Sequence, residues 1–288
     1  MYEGYYGFSE RPFALTPDPE YMFLTRHHRE ALTMLEYGLT QQAPIMLITG
    51  EVGCGKTTLI RFLLSRLDAS TTCGLIANVG RNFNNLLQWV CMAFGLAYKG
   101  KGDAELHDEF SQFLIREYGA NRRVLLIVDE AQNLSPALLE DLRVLTNINA
   151  DKHVVLQVIL VGQPELRDTV RSPGFRQLAQ RISIDHHMEP MAQEETRWYV
   201  RHRLRIAGGE VSVFRTAAID AIHAASRGVP RLVNQLCDAA LVYGFSERAP
   251  RIDATIVQEV LKDKDEGGLL EAGREVRVVP TVTTAGDA

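Results

Sequence analysis

The 288 residues, 46% hydrophobic and 23% charged, suit a soluble globular protein of one large or two modest domains with a sizeable core. A net charge of −5 gives no global attraction to nucleic acid or anionic membranes, leaving only a local basic patch open. Cys54, Cys73, Cys91 and Cys237 lack C-x-x-C spacing, which argues against a zinc site or a disulfide framework and fits a reducing cytosol. No basic-then-apolar leader is visible and no apolar run approaches the ~20 residues of a spanning helix, so the reading is cytoplasmic.

Residues 1–42 form an N-terminal arm and helix. Tyr2, Tyr5, Tyr6 and Phe8 are followed by Pro12-Phe13 and Pro17-Asp18-Pro19, whose prolines forbid a long helix and favour an extended arm with turns. The arm either walls a nucleotide-base pocket or serves as an aromatic staple on the core. Over Arg26–Leu39, apolar Ala31, Leu32, Met34, Leu35 and Leu39 fit a helix with one buried face. His27 and His28 are neighbours on it, point to different faces, and do not make a metal pair.

A buried strand, Ile45–Thr49, runs into G-x-x-x-x-G-K-T and then an apolar-periodic helix. Strand, glycine-rich turn and helix form the context of a phosphate-binding loop. Gly50, Glu51, Val52, Gly53, Cys54, Gly55, Lys56, Thr57 and Thr58 are the expected nucleotide-binding residues. Gly50, Gly53 and Gly55 let successive N–H groups turn toward phosphate oxygens, Lys56 reaches the β- and γ-phosphates, and Thr57 holds Mg²⁺. The reading is ATP with Mg²⁺. Cys54 is either a thiolate that gates binding or a small residue that fits the turn.

A second strand is expected over Leu75–Val79, with helices at Phe83–Phe94 and Glu105–Tyr118. The run Val124–Val128 reads as a strand buried on both faces, with Asp129 and Glu130 emerging at its carboxyl end, where open parallel sheets hold ligands. Asp129 is the expected Mg²⁺ holder and Glu130 the base that orients water; the alternative is a pair of acids capping the helix that begins near Pro136. A third buried strand, Val154–Val161, leads to Gly162-Gln163-Pro164. If it lies between the other two, Gln163 senses the γ-phosphate or places water; otherwise its amide satisfies the turn. Arg181, and secondarily Arg176, close a short helix before the strand Ile182–Met188. Each is either an arginine finger reaching a neighbouring subunit or a solvated helix-end charge.

Residues 43–190 thus form the nucleotide-binding core, and 191–265 a helical domain. Its helices are Glu194–Ala207, Arg215–Ala225, Pro230–Ser246 and Asp253–Lys262, with Asp253 as an N-cap. Gly228-Val-Pro-Arg231 sets Arg231 at a helix start, from which a lid can swing its guanidinium onto ATP. Residues 266–288 read as a flexible tail or linker.

Taken in order, Tyr2–Phe13, Gly50–Thr58, Leu126–Gln132, Leu160–Leu166, Gln180-Arg181-Ile182 and Gly228–Leu236 resemble an AAA+ ATPase. The finer resemblance, over residues 1 to about 265, is to the ExeA/GspA-type ATPases of the bacterial general secretion pathway and their exosortase-associated relatives. It implies an α/β P-loop core of sheet order 5-1-4-3-2 and a small all-helical lid. It also implies ATP-driven homo-oligomerisation into rings or larger assemblies, and a switch or assembly role in secretion, pilus or exopolysaccharide export, with a membrane partner protein. Such proteins typically continue into a membrane helix and a periplasmic peptidoglycan-binding part, which these residues do not match. The sequence therefore reads as the ATPase module or as a wholly cytoplasmic protein. Gln163 stands where many AAA+ proteins carry Asn, Ser or Thr. The competing reading is a DNA-associated transposition regulator of the TniB, TnsC or MuB type. For it, Arg197, Arg201 and Arg205, with Arg203 nearby, form a basic helical stripe for phosphates.

Overall fold

The computed structural model describes residues 1–16, 19–77, 85–150 and 153–266. The expected turn at Pro17-Asp18, the strand end at Val79, the helix start at Phe83 and the tail beyond residue 266 lie outside them.

The chain opens with a short helix, α1 (Tyr2–Tyr6), and α2 (Arg26–Thr40), which leads into β1 (Ile45–Gly50) and α3 (Lys56–Arg66). Then come β2 (Thr71–Ile76), α4 (Leu86–Ala93), α5 (Asp103–Gly119), β3 (Arg123–Val128) and α6 (Pro136–Leu145). The core closes with β4 (Leu156–Gly162), α7 (Pro164–Arg171), α8 (Arg176–Arg181) and β5 (Ile182–Met188). A two-residue antiparallel pair, Asn149–Ala150 with His153–Val154, precedes β4. The five long strands form one parallel sheet of order β2-β3-β4-β1-β5, the expected 5-1-4-3-2 read from the other edge.

Each inner strand reads as a nearly unbroken apolar run because its alternate side chains enter different layers. Ile45 and Leu47 of β1, with Leu126 and Val128 of β3, join the layer that carries α4 to α6. Met46, Ile48, Leu125 and Ile127 face α2 and α3. The exception is Gln157, buried in β4, whose Nε2 donates to the carbonyls of Gly38 (3.1 Å) and Ala43 (3.2 Å). A buried amide needs such partners, and these tie the end of α2 to the sheet.

β2 begins four residues before the strand expected at Leu75. Its first residues, Thr71 to Gly74, carry no apolar pattern because β2 is an edge strand that pairs only with β3. Several ends follow local chemistry. Ser135 caps α6 by accepting from Leu138 N, with Pro136 in the first turn. Glu105 reaches back to Gly102 N at the start of α5.

Four further helices, α9 (Gln193–Ile206), α10 (Thr216–Ser226), α11 (Pro230–Ser246) and α12 (Ala254–Glu266), enclose a second core. Asp253 caps α12, its Oδ1 accepting from Thr255 N (3.0 Å) and Ile256 N (3.2 Å). The aromatic arm belongs to this helical core: Tyr2, Tyr6, Phe8, Phe13 and Tyr21 are buried in it, whereas α2 packs on the sheet. The two halves of residues 1–42 therefore serve different cores. Polar bonds fix the arm as well, with Tyr6 donating to Ala249 O (3.0 Å) and Ser9 Oγ to Ala207 O (2.9 Å).

Phe13 is 1% exposed and meets Phe214 edge-on at 5.9 Å between centroids. Phe13→Ala should destabilise the helical domain by about 3 kcal/mol through transfer and cavity terms and make the arm more protease-sensitive. Urea denaturation and limited proteolysis are the checks; an unchanged midpoint would place the arm outside the core.

Candidate functional site

Between β1 and α3 the loop turns sharply because Gly53 (φ 84°) and Gly55 (φ 91°) adopt left-handed backbone conformations. Space demands glycine there too. A Cβ on Gly55 would lie 2.7 Å from His28 Nε2, and one on Gly53 2.5 Å from Arg231 Cβ. Lys56 is buried, its Nζ donating to Gly50 O (2.7 Å) and Glu51 O (2.9 Å) inside the curl of the loop. Burial lowers its pKa.

β4 lies between β1 and β3, so the carboxyl ends of all three strands converge. Thr57 Oγ1 donates to Asp129 Oδ2 at 2.8 Å, and Asp129 Oδ1 accepts from Glu130 N at 2.9 Å. Burial raises the Asp129 pKa, while these two hydrogen bonds pull it down. Glu130 has φ 54°, a left-handed conformation that costs energy for a residue with a side chain. Its Oε2 accepts from Gln132 Nε2 (2.6 Å) and Gln163 Nε2 (3.4 Å). Gln132 Oε1 in turn accepts from Gln163 N (3.1 Å). Gln163 thus turns its amide toward the carboxylate, and although it stands at the N-cap of α7 its side chain makes no capping bond there, so the turn-satisfying option is not the one its amide takes.

A cavity of about 340 Å³ opens over the loop, bounded by Lys56, Thr57, Glu130 and Gln163 below and by Arg231 and Asn234 of α11 above. Arg231 N donates to Gly53 O at 3.2 Å, so the helical domain rests directly on the phosphate loop. The arm supplies Ala14 to Thr16 and Tyr21 to Phe23 as a side wall. It is therefore both an aromatic staple, on the helical core, and a wall of the cavity. Arg181 is outside this cavity; its Nη1 donates to Thr146 O (3.0 Å) and Thr146 Oγ1 (3.2 Å) at the end of α6. Arg176 is exposed. Cys54 is buried and its thiol is pushed up to about 11 by that burial, which fits the turn-filling option and not a thiolate gate.

Several residues at the site were given no role there by the sequence reading. Gln132 was legible only as part of the strand-end motif. His28 packs on the loop from α2 and shares a hydrogen bond with Thr25 Oγ1 at 2.6 Å. Arg203 is buried under the arm. It donates to Pro12 O, to Ala14 O (3.2 Å) and to Tyr199 Oη (3.0 Å), and it lies 4.6 Å from the Tyr21 ring centroid. Tyr199 donates to Asn234 Oδ1 at 2.9 Å, extending the chain of contacts to α11. The contacts of Arg203 with the arm and of Tyr199 with Asn234 join residues distant in sequence, so no local spacing could indicate them.

The basic stripe expected on α9 is reduced to Arg201 and Arg205. Arg197 grips both oxygens of Asp220 at 2.7 Å and also pairs with Glu194, and Arg203 is buried. Acids on α10 and α9 itself take up the charge of Arg197, and carbonyls of the arm hold Arg203, partners that helical spacing alone does not reveal.

Glycine-rich loop, paired acids at the next-but-one strand end and a helical lid resting on the loop define a P-loop nucleotide-binding module of the AAA+ class. Residues 39–170 match the AAA domain family. The chain is related to general secretion pathway protein A: over 272 residues, 93% of its length, it is 41% identical to that protein of Aeromonas hydrophila. It spans half the length of that relative. Among solved structures, the Aeropyrum pernix ORC2 protein in ADPNP-ADP complexes is similar with a TM-score of 0.67 and 19% identity, over 91% of this chain and 75% of that one. A Walker-type ATPase of Pyrococcus abyssi gives a TM-score of 0.60 at 18% identity, over 90% and 78% of the two chains. Both share the fold. Among the described residues, no helix is long and apolar enough to cross a membrane.

Burial pushes the His28 pKa down to about 4, against weaker opposing effects of Glu195 and the Cys54 backbone. The unfolded chain takes up this proton near pH 6.5, so between about pH 6.5 and 4 it binds more protons than the folded one. The contribution is complete above that window and lost as pH falls through it, on the order of 3 kcal/mol. His28→Gln should flatten this part of the stability–pH curve; an unchanged slope in chemical denaturation would contradict a buried neutral imidazole.

Proposed function

We propose that the chain binds ATP with Mg²⁺, hydrolyses it, and uses its nucleotide state to drive homo-oligomerisation, as a switch or assembly factor of a bacterial envelope system. The observation that carries this reading is the Glu130–Gln132–Gln163 network at the end of the sheet, facing a phosphate loop on which Arg231 of the lid already rests. Such a site can couple what is bound to how the domains sit.

In this reading the loop N–H groups and Lys56 cradle the β- and γ-phosphates, with the ammonium exchanging the Gly50 and Glu51 carbonyls for phosphate oxygens. The Thr57 hydroxyl and the Asp129 carboxylate, already in mutual contact, are the oxygen donors a hard cation prefers. Mg²⁺ bound there neutralises charge on the phosphates. Glu130 orients and polarises the attacking water, and Gln132 and Gln163 fix its carboxylate and report its position to α7. Arg231 closes the lid on the γ-phosphate. Arg181, or else Arg176, reaches a neighbouring subunit's phosphate in trans, for which Arg181 must leave Thr146. The place of action is the cytoplasm, at the inner face of the membrane through a partner protein.

The relationship to general secretion pathway protein A favours an envelope process. The DNA-associated alternative rests on Arg201 and Arg205, since Arg197 and Arg203 are engaged. Steady-state turnover measured across protein concentrations, with and without long duplex DNA at low salt, separates the two. A rate per subunit that rises with concentration and ignores DNA supports the proposal; strong, salt-sensitive stimulation by DNA overturns the envelope assignment.

Lys56→Ala should lower turnover by at least about 100-fold. Glu130→Gln should still bind ATP, lower kcat by about 10²- to 10⁴-fold and freeze any ATP-dependent oligomer, seen by light scattering. Mixing Arg181→Ala with Glu130→Gln should restore part of the activity, because a mixed interface unites two intact halves; absence of rescue at every ratio removes Arg181 from the trans role.

A further inference from the structure

Away from the nucleotide cavity, α2 and β5 bring together His27, Glu30 and His186, each offering one ligand atom within 4.8 Å of the others. His27 Nδ1 lies 3.5 Å from Glu30 Oε2, and its Nε2 lies 3.6 Å from Glu189 Oε2. The His27 and His186 rings are 6.5 Å apart between centroids. His186 Nε2 is buried and has no hydrogen-bond partner among the described residues. A buried polar atom left unsatisfied is costly and calls for an explanation. The other Glu30 oxygen, Oε1, is held by Arg26 at 2.7 Å, which orients the carboxylate and leaves Oε2 toward the histidines.

Two imidazoles and one carboxylate suit zinc and its first-row neighbours, whereas Mg²⁺ and Ca²⁺ take oxygen ligands. We propose that His27, Glu30 and His186 form a zinc-class divalent-cation site, with Glu189 accepting a hydrogen bond from the second ring nitrogen of His27. A carboxylate behind a ligating histidine is the usual way its ring is oriented. Three protein ligands leave room for water in a fourth position. Zinc ligands sit about 2.0–2.1 Å from the ion, so the three must close inward, and the His27 and Glu30 side chains are 23% and 40% exposed and able to rotate.

The site straps α2 to β5 beside the phosphate loop. The next residue on α2, His28, packs on Gly55; the next on β5, His187, shares a hydrogen bond with Thr49 of β1 at 3.0 Å. An ion held here stiffens the two elements that flank the nucleotide loop. This inference rests on residues outside the nucleotide site and stands whether or not the chain hydrolyses ATP.

Titration of the full chain with Zn²⁺ in excess Mg²⁺, by calorimetry, should give one equivalent per chain and raise Tm. Co²⁺ in its place should show the intense visible absorption of a four-coordinate site. His27→Ala and Glu30→Gln, both on the helix surface and compatible with folding, should each weaken binding about 100-fold, and Glu189→Gln about 10-fold. His186→Ala should abolish binding, and Asp129→Asn should leave it intact. Absence of a stoichiometric site, binding indifferent to His27→Ala and Glu30→Gln, or binding lost in Asp129→Asn alone would each overturn the proposal.

Discussion

β1 is buried along its whole length because it has β4 on one edge, β5 on the other and helices on both faces. Everything at the site depends on that enclosure. It fixes where Gly50 ends, so the loop must turn over the carboxyl edge of the sheet, and it places β4 between the phosphate loop and the paired acids. With β4 there, Gln163 meets Glu130, and Thr57 meets Asp129 directly. The same burial perturbs the two charged groups in opposite senses of the same physical cause: it lowers the Lys56 pKa and raises that of Asp129, disfavouring each charge alone. A bound phosphate and cation answer both at once.

The second constraint is the arm. By packing into the helical core, it makes residues from the two ends of the chain neighbours, and its stretches Ala14–Thr16 and Tyr21–Phe23 run along the cavity. Arg203 holds that path with carbonyls and aromatic faces and not with a carboxylate, so the guanidinium is satisfied by neutral acceptors and cation–π contact. Motion of the helical domain on the sheet therefore drags the cavity wall with it.

α2 adjoins both the phosphate loop and β5. One turn of it carries His28 toward the phosphate loop and His27 toward β5, so the adjacent pair does divide between two faces. The pair does not chelate. Each member instead finds its partners on segments far along the chain.

Much of the architecture was legible because it is written locally. The phosphate loop, the apolar runs of β1, β3 and β4, the cap at Asp253 and the span of α11 follow from periodicity and turn chemistry alone. β2 was displaced, since a polar edge strand lacks that signal. The stripe of arginines on α9 followed correctly from helical spacing, yet spacing is blind to the acid that comes to face it, and Asp220 takes Arg197. By itself the sequence determined a nucleotide-binding loop, a parallel sheet and a helical domain, because those depend on neighbours within a turn or a strand. Only the tertiary structure decided that the arm joins the helical core, that Gln132 bridges Glu130 to Gln163, and that His27, Glu30 and His186 meet. Those contacts are made by chain closure over long separations, which no local pattern encodes.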